Sequence, residues 1–82
     1  MKLYDEILEA IIKRASEIFK KEPGELSAAT NFEEDLNAKS VNIVQIIAVL
    51  EDEYDVEINF MEFRRKKIFG EAAEFVAELC GE

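Results

Sequence analysis

Between Ser40 and Tyr54 the chain carries Val41, Ile43, Val44, Ile46, Ile47, Ala48, Val49 and Leu50, with only Asn42 and Gln45 polar among them. A helix that is apolar almost all round is either wholly enclosed or meets another protein. The chain has 82 residues, enough for one core and too few for a second, so it is read as a single domain over 1–82. Enclosing such a helix completely is difficult at this size. The expectation is therefore a division of faces: Ile46, Ile47, Leu50 and Tyr54 turn inward, and Val41, Val44 and Ala48 form a stripe open to a partner.

The rest of the pattern is helical. From Leu3 to about Lys21, apolar residues at Tyr4, Ile7, Leu8, Ile11, Ala15, Ile18 and Phe19 recur at the three-and-four spacing of one helix face. Lys20 and Lys21 suit a C-terminus, and Pro23-Gly24 stops continuation. From Glu22 to Lys39 the period is lost, and a long loop is expected, pinned to the core at Leu26, Phe32 and Leu36. After Val56-Glu57-Ile58, Asn59 can cap a short third helix from Phe60 to about Lys67. Gly70 is read as an interruption, and a closing helix runs from about Glu71 to Leu79, burying Ala72, Phe75, Val76 and Leu79. The fold class is all-α, a small four-helix bundle of three longer helices and one short third helix, with a long first loop.

Composition removes several functions. There is no histidine and a single cysteine, Cys80, so an internal disulfide, the Cys/His zinc spacings and histidine-based acid–base chemistry are all absent. The chain reads as a protein acted upon by others and not as an enzyme, with Cys80 a small apolar residue in the last helical turn. The formal net charge of −9 opposes nucleic-acid binding, which needs a positive surface, and favours basic partner enzymes. No stretch approaches the length of a membrane span. Charges interrupt Met1–Glu6 at once, unlike a signal peptide, so the expected location is cytoplasmic and the expected state a monomer. An EF-hand over Asp52–Glu62 is rejected, because the glycine needed at its sixth position is missing.

Ser40 stands at the first position of the apolar helix. A hydroxyl there lies beside backbone N–H groups that favour a negatively charged substituent, which makes it a place for a phosphate-linked arm. The succession Asp35-Leu36, Ala38-Lys39-Ser40-Val41, Leu50-Glu51-Asp52-Glu53-Tyr54 and Glu57-Ile58 resembles the core motif of acyl carrier proteins. The resemblance implies a 4′-phosphopantetheine arm on Ser40 whose terminal thiol holds acyl intermediates as thioesters, for fatty-acid, lipid or polyketide-type biosynthesis. It also implies a phosphopantetheinyl transferase that moves the arm from coenzyme A, with Asp35 helping to hold magnesium during that modification and no resident metal afterwards. The further partners implied are acyl-transferring or acyl-activating enzymes with basic docking patches, and the contact residues are Lys39, Val41, Val44, Ala48, Glu51 and Asp52.

The chain departs from the family where Lys39 replaces the usual aspartate before the serine and where Asn42 and Gln45 stand at commonly acidic positions. Fewer charges beside the serine should weaken docking onto general fatty-acid enzymes, since such charges set on-rate and orientation, and this points to a specialised pathway. The basic run Arg64-Arg65-Lys66-Lys67 reads first as a solvated face and second as a contact for an acidic partner or anionic headgroups. The same region, with Val44-Gln45, faintly resembles carriers of D-alanine, which leaves an aminoacyl (D-alanyl or peptidyl) carrier as one alternative. A helical interaction module without a prosthetic group is the other. Ile43, Ile46, Ile47, Leu50, Phe63 and Ile68 are candidates for lining a cleft that shields an acyl tail.

Overall fold

In a computed structural model, which describes residues 2–82, four α-helices follow one another: α1 (Leu3–Phe19), α2 (Ser40–Tyr54), α3 (Phe60–Arg64) and α4 (Phe69–Leu79), with a 3-10 turn at Pro23–Glu25 between the first two. Helix α1 packs against both α2 and α4. Ile7, Ile11 and Ala15 of α1 are fully buried between them, as the three-and-four spacing requires. The all-α bundle expected from the sequence is the fold observed.

Helix α1 stops at Phe19, two residues short of the expected end. Lys20 turns into the left-handed region (φ 57°), and the N–H groups of both Lys20 and Lys21 donate back to the Ser16 carbonyl, a turn that satisfies the last acceptors of a helix. At the other end the Leu3 N–H, which has no acceptor within its helix, donates to the Glu82 carboxylate at 3.2 Å.

The long first loop is held more firmly than three apolar pins would suggest. Leu26 and Phe32 are buried as expected and Leu36 half-buried, and Thr30 and Ala38 are buried as well. The loop runs antiparallel to the connection between α3 and α4, with an isolated bridge between Asn31 and Ile68. The Phe32 N–H donates to Lys67 O (3.0 Å), Phe69 N–H to Thr30 O (3.0 Å) and Gly70 N–H to Ala28 O (2.8 Å). These bonds give a non-helical backbone the partners it would otherwise lack. Helix α3 ends at Arg64 and not Lys67, because the Lys66 N–H tightens onto Phe63 O (3.0 Å) and the Lys67 N–H turns away from the helix onto Glu71 Oε1 (3.1 Å).

Gly70 lies inside α4, which begins at Phe69 and not at Glu71. The glycine permits close approach: a Cβ there would come within 3.1 Å of the Tyr4 hydroxyl and 3.2 Å of both Ala28 Cβ and Ala28 O. The buried face of α4 is Phe69, Ala72, Ala73, Val76 and Ala77, and not the expected set, since Phe75 is half-buried and Leu79 exposed. On α2 the buried face is Ile43, Ile46, Ile47 and Leu50, with Ile43 joining the expected set and Tyr54 only half-buried. Phe32 sits at the centre of an aromatic cluster, its ring 4.8 Å from Phe69 and 6.0 Å from Phe63 between centroids, both tilted.

Candidate functional site

Two local devices deliver Ser40. The first is a single turn over Asn31–Asn37. The Asn31 side-chain oxygen accepts the Glu33 and Glu34 N–H groups (2.9 and 2.8 Å), and Asp35 Oδ2 returns to accept the Asn31 N–H at 2.7 Å. Asn37 closes the turn in the left-handed region (φ 51°), with its N–H on Glu33 O (2.9 Å), a conformation asparagine tolerates. This turn swings Phe32 and Leu36 toward the core and leaves Glu33, Glu34 and Asp35 outside.

The second device is the start of α2. The residue that caps it is Lys39, in extended conformation, and Ser40 is the first residue of the helix proper. The Lys39 N–H donates to Asn42 Oδ1 at 2.8 Å, so Asn42 performs the backward capping bond that an acidic side chain commonly makes. The first N–H groups of a helix have no intrahelical acceptor, and no acidic residue stands in this first turn. The result is a small field that favours an anion on Ser40.

The chain holds three serines, and their hydroxyls differ. Ser16 Oγ donates to Lys13 O at 2.7 Å inside α1, and Ser27 Oγ accepts the Ala29 N–H at 3.2 Å. Ser40 is exposed, and its Oγ meets a guanidinium instead of backbone: Arg64 Nη1 donates to it at 3.4 Å. The other arm of the Arg64 fork, Nη2, lies 3.8 Å from Glu33 Oε1. Sequence reading had Arg64 within an undivided basic run, and its convergence on Ser40 from α3 was not legible there. The rest of the run separates as well, since Lys66 Nζ sits 5.2 Å from the centre of the Phe75 ring and the Lys67 N–H donates to Glu71 Oε1 at 3.1 Å.

A cleft of about 360 Å³ opens between the loop and the α3–α4 connection, lined by Phe32, Ala38 and Ile43, by Glu33 and by Arg64 with the rest of its basic run; Ser40 is not among its lining residues and adjoins it through Arg64. Of the six residues expected to line a tail cleft, Ile43 reaches this one. Ile46, Leu50 and Phe63 are fully buried in the packed core, and Ile47 nearly so.

On the outer face of α2, Val41 and Val44 are 61% and 51% exposed, and Ala48 continues the same side in the open. Met61 on α3, exposed to a similar degree, is an apolar residue that sequence reading missed. Lys39 and Asp52 are exposed, whereas Glu51 is half-buried and its Oε2 accepts the Ile58 N–H at 2.8 Å. That carboxylate therefore ties down the loop after α2. Burial, and then the Glu82 charge, push the Cys80 thiol above its ordinary value, so it stays protonated and weakly nucleophilic near neutrality.

The fold is thus a small helical bundle that presents an accessible serine at the start of its second helix. The family described as the phosphopantetheine attachment site matches residues 9–76. The acyl carrier protein of Prochlorococcus marinus (strain MIT 9515) is 32% identical over 72 residues, which cover 88% of this chain and 90% of the relative. That of Sulfurovum sp. (strain NBC37-1) is 28% identical over 76 residues, 93% and 96% of the two chains. The chain belongs to the phosphopantetheine-attachment family of acyl carrier proteins, and its prosthetic group is covalently bound 4′-phosphopantetheine. The start of α2 fits the phosphate of that group: an exposed hydroxyl, a guanidinium at 3.4 Å and no nearby carboxylate on the first turn.

Proposed function

We propose that Ser40 bears the 4′-phosphopantetheine arm and that the protein, itself without catalytic activity, carries acyl intermediates between separate enzymes of a specialised biosynthetic pathway in the cytoplasm. The observation that supports this most is the contrast among the serines: Ser40 Oγ is exposed at the head of a 15-residue helix and free of backbone bonds, while Ser16 and Ser27 are tied to their own chain. In the modification, the Ser40 oxygen forms the new bond to the pantetheine-side phosphorus as the pyrophosphate bond of coenzyme A breaks, adenosine 3′,5′-bisphosphate leaves, and the hydroxyl proton passes to the transferase. One oxygen of Asp35 is held by Asn31, and the other is the candidate ligand for the magnesium used in that step.

When bound, the arm supplies a terminal thiol that holds the acyl group as a thioester. This chain's own residues set the rest. The helix N-terminus stabilises the phosphodiester by about 0.3–1 kcal/mol. Val41, Val44 and Ala48 give a partner an apolar contact close to the arm, and Lys39 and Asp52 add charges that orient docking. Glu51, half-engaged with Ile58, contributes its remaining oxygen. With Asn42 and Gln45 uncharged, enzymes that rely on a continuous acidic stripe should dock poorly, and turnover by general fatty-acid enzymes well below that of an acidic carrier tests this specialisation.

The attachment itself is tested by incubating the protein with coenzyme A and a broad-specificity phosphopantetheinyl transferase and weighing it intact. The expected result is a gain of one phosphopantetheine that vanishes in Ser40→Ala. An unchanged mass under active transferase contradicts the proposal.

A further inference from the structure

Among the described residues, Arg64 is the cation whose side chain bonds Ser40 Oγ, whereas the neighbouring Lys39 Nζ lies on Asn37 Oδ1 at 3.3 Å. We infer that Arg64 is a positioning residue for the phosphodiester: on attachment its guanidinium exchanges Glu33 for the phosphate and fixes the root of the arm on the α3 side, toward the cleft lined by Phe32, Ala38 and Ile43. This inference rests on Ser40 as the attachment point.

Three observations carry it. The Arg64 fork is already divided between the acceptor oxygen and a carboxylate, with Nη1 at 3.4 Å from Ser40 Oγ and Nη2 at 3.8 Å from Glu33 Oε1. The non-bridging oxygens of a phosphodiester on Ser40 lie two bonds from Oγ, so Nη1 meets them without a change of backbone. The side chain is not swinging freely either: it is half-buried, 31% exposed, and it follows directly on Phe63, whose ring is fully enclosed and packed against Phe32. Its present partner is weak, because the Glu33 side chain is 76% exposed and the pair is long, and exposed pairs of this kind contribute little. A phosphodiester offers the planar fork two non-bridging oxygens that share one negative charge, and no carboxylate in the first turn of α2 competes for it.

The exchange gives the two forms of the carrier different surfaces. Before modification, Arg64 links the 31–38 loop, α2 and α3. Afterwards Glu33 is released to solvent, and the guanidinium charge is neutralised at the arm. The arm then leaves the protein from the rim of the cleft and not from the open side of Val41.

The test compares wild type, Arg64→Gln, Arg64→Lys and Glu33→Gln, each converted with coenzyme A and transferase and verified by intact mass. Phosphorus NMR of the modified proteins reads the phosphate directly. The wild-type resonance should be displaced from that of Arg64→Gln by more than its linewidth and should converge on it as salt rises, with Arg64→Lys between the two. Glu33→Gln, which leaves the guanidinium in place, should keep the wild-type displacement. The holo-minus-apo change in Tm should be more positive in wild type than in Arg64→Gln. Loading of all four proteins with identical phosphorus shifts and identical holo-minus-apo changes overturns the Arg64 role alone. Failure of wild type to gain mass overturns the attachment at Ser40 and the Arg64 role with it.

Discussion

Replacing Phe32 with leucine perturbs the residue that ties the loop before Ser40 to the rest of the bundle. Phe32 is buried, and its ring meets Phe69 at 4.8 Å and Phe63 at 6.0 Å. Tilted aromatic pairs contribute about 0.5–1.5 kcal/mol each beyond the area they bury, and leucine restores most of the apolar contact while leaving a small void. Losing two pairs therefore costs about 1–3 kcal/mol, a large part of the total of about 4–12 kcal/mol general for this chain length. In guanidinium denaturation followed by circular dichroism, with a slope of about 2 kcal/mol/M, the midpoint should fall by roughly 0.5–1.5 M at unchanged slope. Phe60→Leu, at a half-buried position outside the ring cluster, should cost less than half as much. A midpoint for Phe32→Leu indistinguishable from wild type would refute the view that this cluster anchors the loop.

Three further outcomes follow from the same contacts. Asn42→Ala removes the acceptor of the Lys39 N–H and should lower stability by about 1 kcal/mol in urea titration, whereas Gln45→Ala on the exposed face should be near neutral. Burial first, and then the Glu53 and Glu6 charges, raise the Tyr54 phenol above its ordinary value of 10.0, and burial raises the Cys80 thiol above 9.0. Both groups hold their protons more tightly when folded, so their contribution is complete below about pH 9 and is lost as pH climbs through the folded-state values. Tm should fall from pH 8.5 to 11, and the fall should be shallower in Tyr54→Phe. With a net charge of −9, added salt should screen self-repulsion and raise Tm, and a flat salt series would contradict this.

The sequence made the helices and the candidate serine readable for a simple reason: periodicity and turn chemistry are local. Ile7, Ile11 and Ala15 announce a face of α1, and Asn59 announces the start of α3 by the bond its side chain accepts from the Glu62 N–H. The boundaries that differed were set by partners far along the chain. Gly70 looked like a breaker but is a contact point for Tyr4 and Ala28, which no local pattern conveys. Arg64 looked like part of a solvated run because its counterparts, Ser40 and Glu33, lie 24 and 31 positions earlier. Glu51 looked like a free carboxylate until the turn at Asp55, in the left-handed region (φ 53°), brought the Ile58 N–H back onto it. Lys39, and not Ser40, caps α2, because Asn42 supplies the side-chain acceptor, and this is what leaves the serine hydroxyl available.

The most direct measurement of the central claim is fragmentation mass spectrometry of the protein after reaction with coenzyme A and transferase. The added phosphopantetheine should map to the peptide containing Ser40 and to no other. Its appearance on a peptide containing Ser16 or Ser27, or an unmodified Ser40 in the presence of active transferase, would contradict the account.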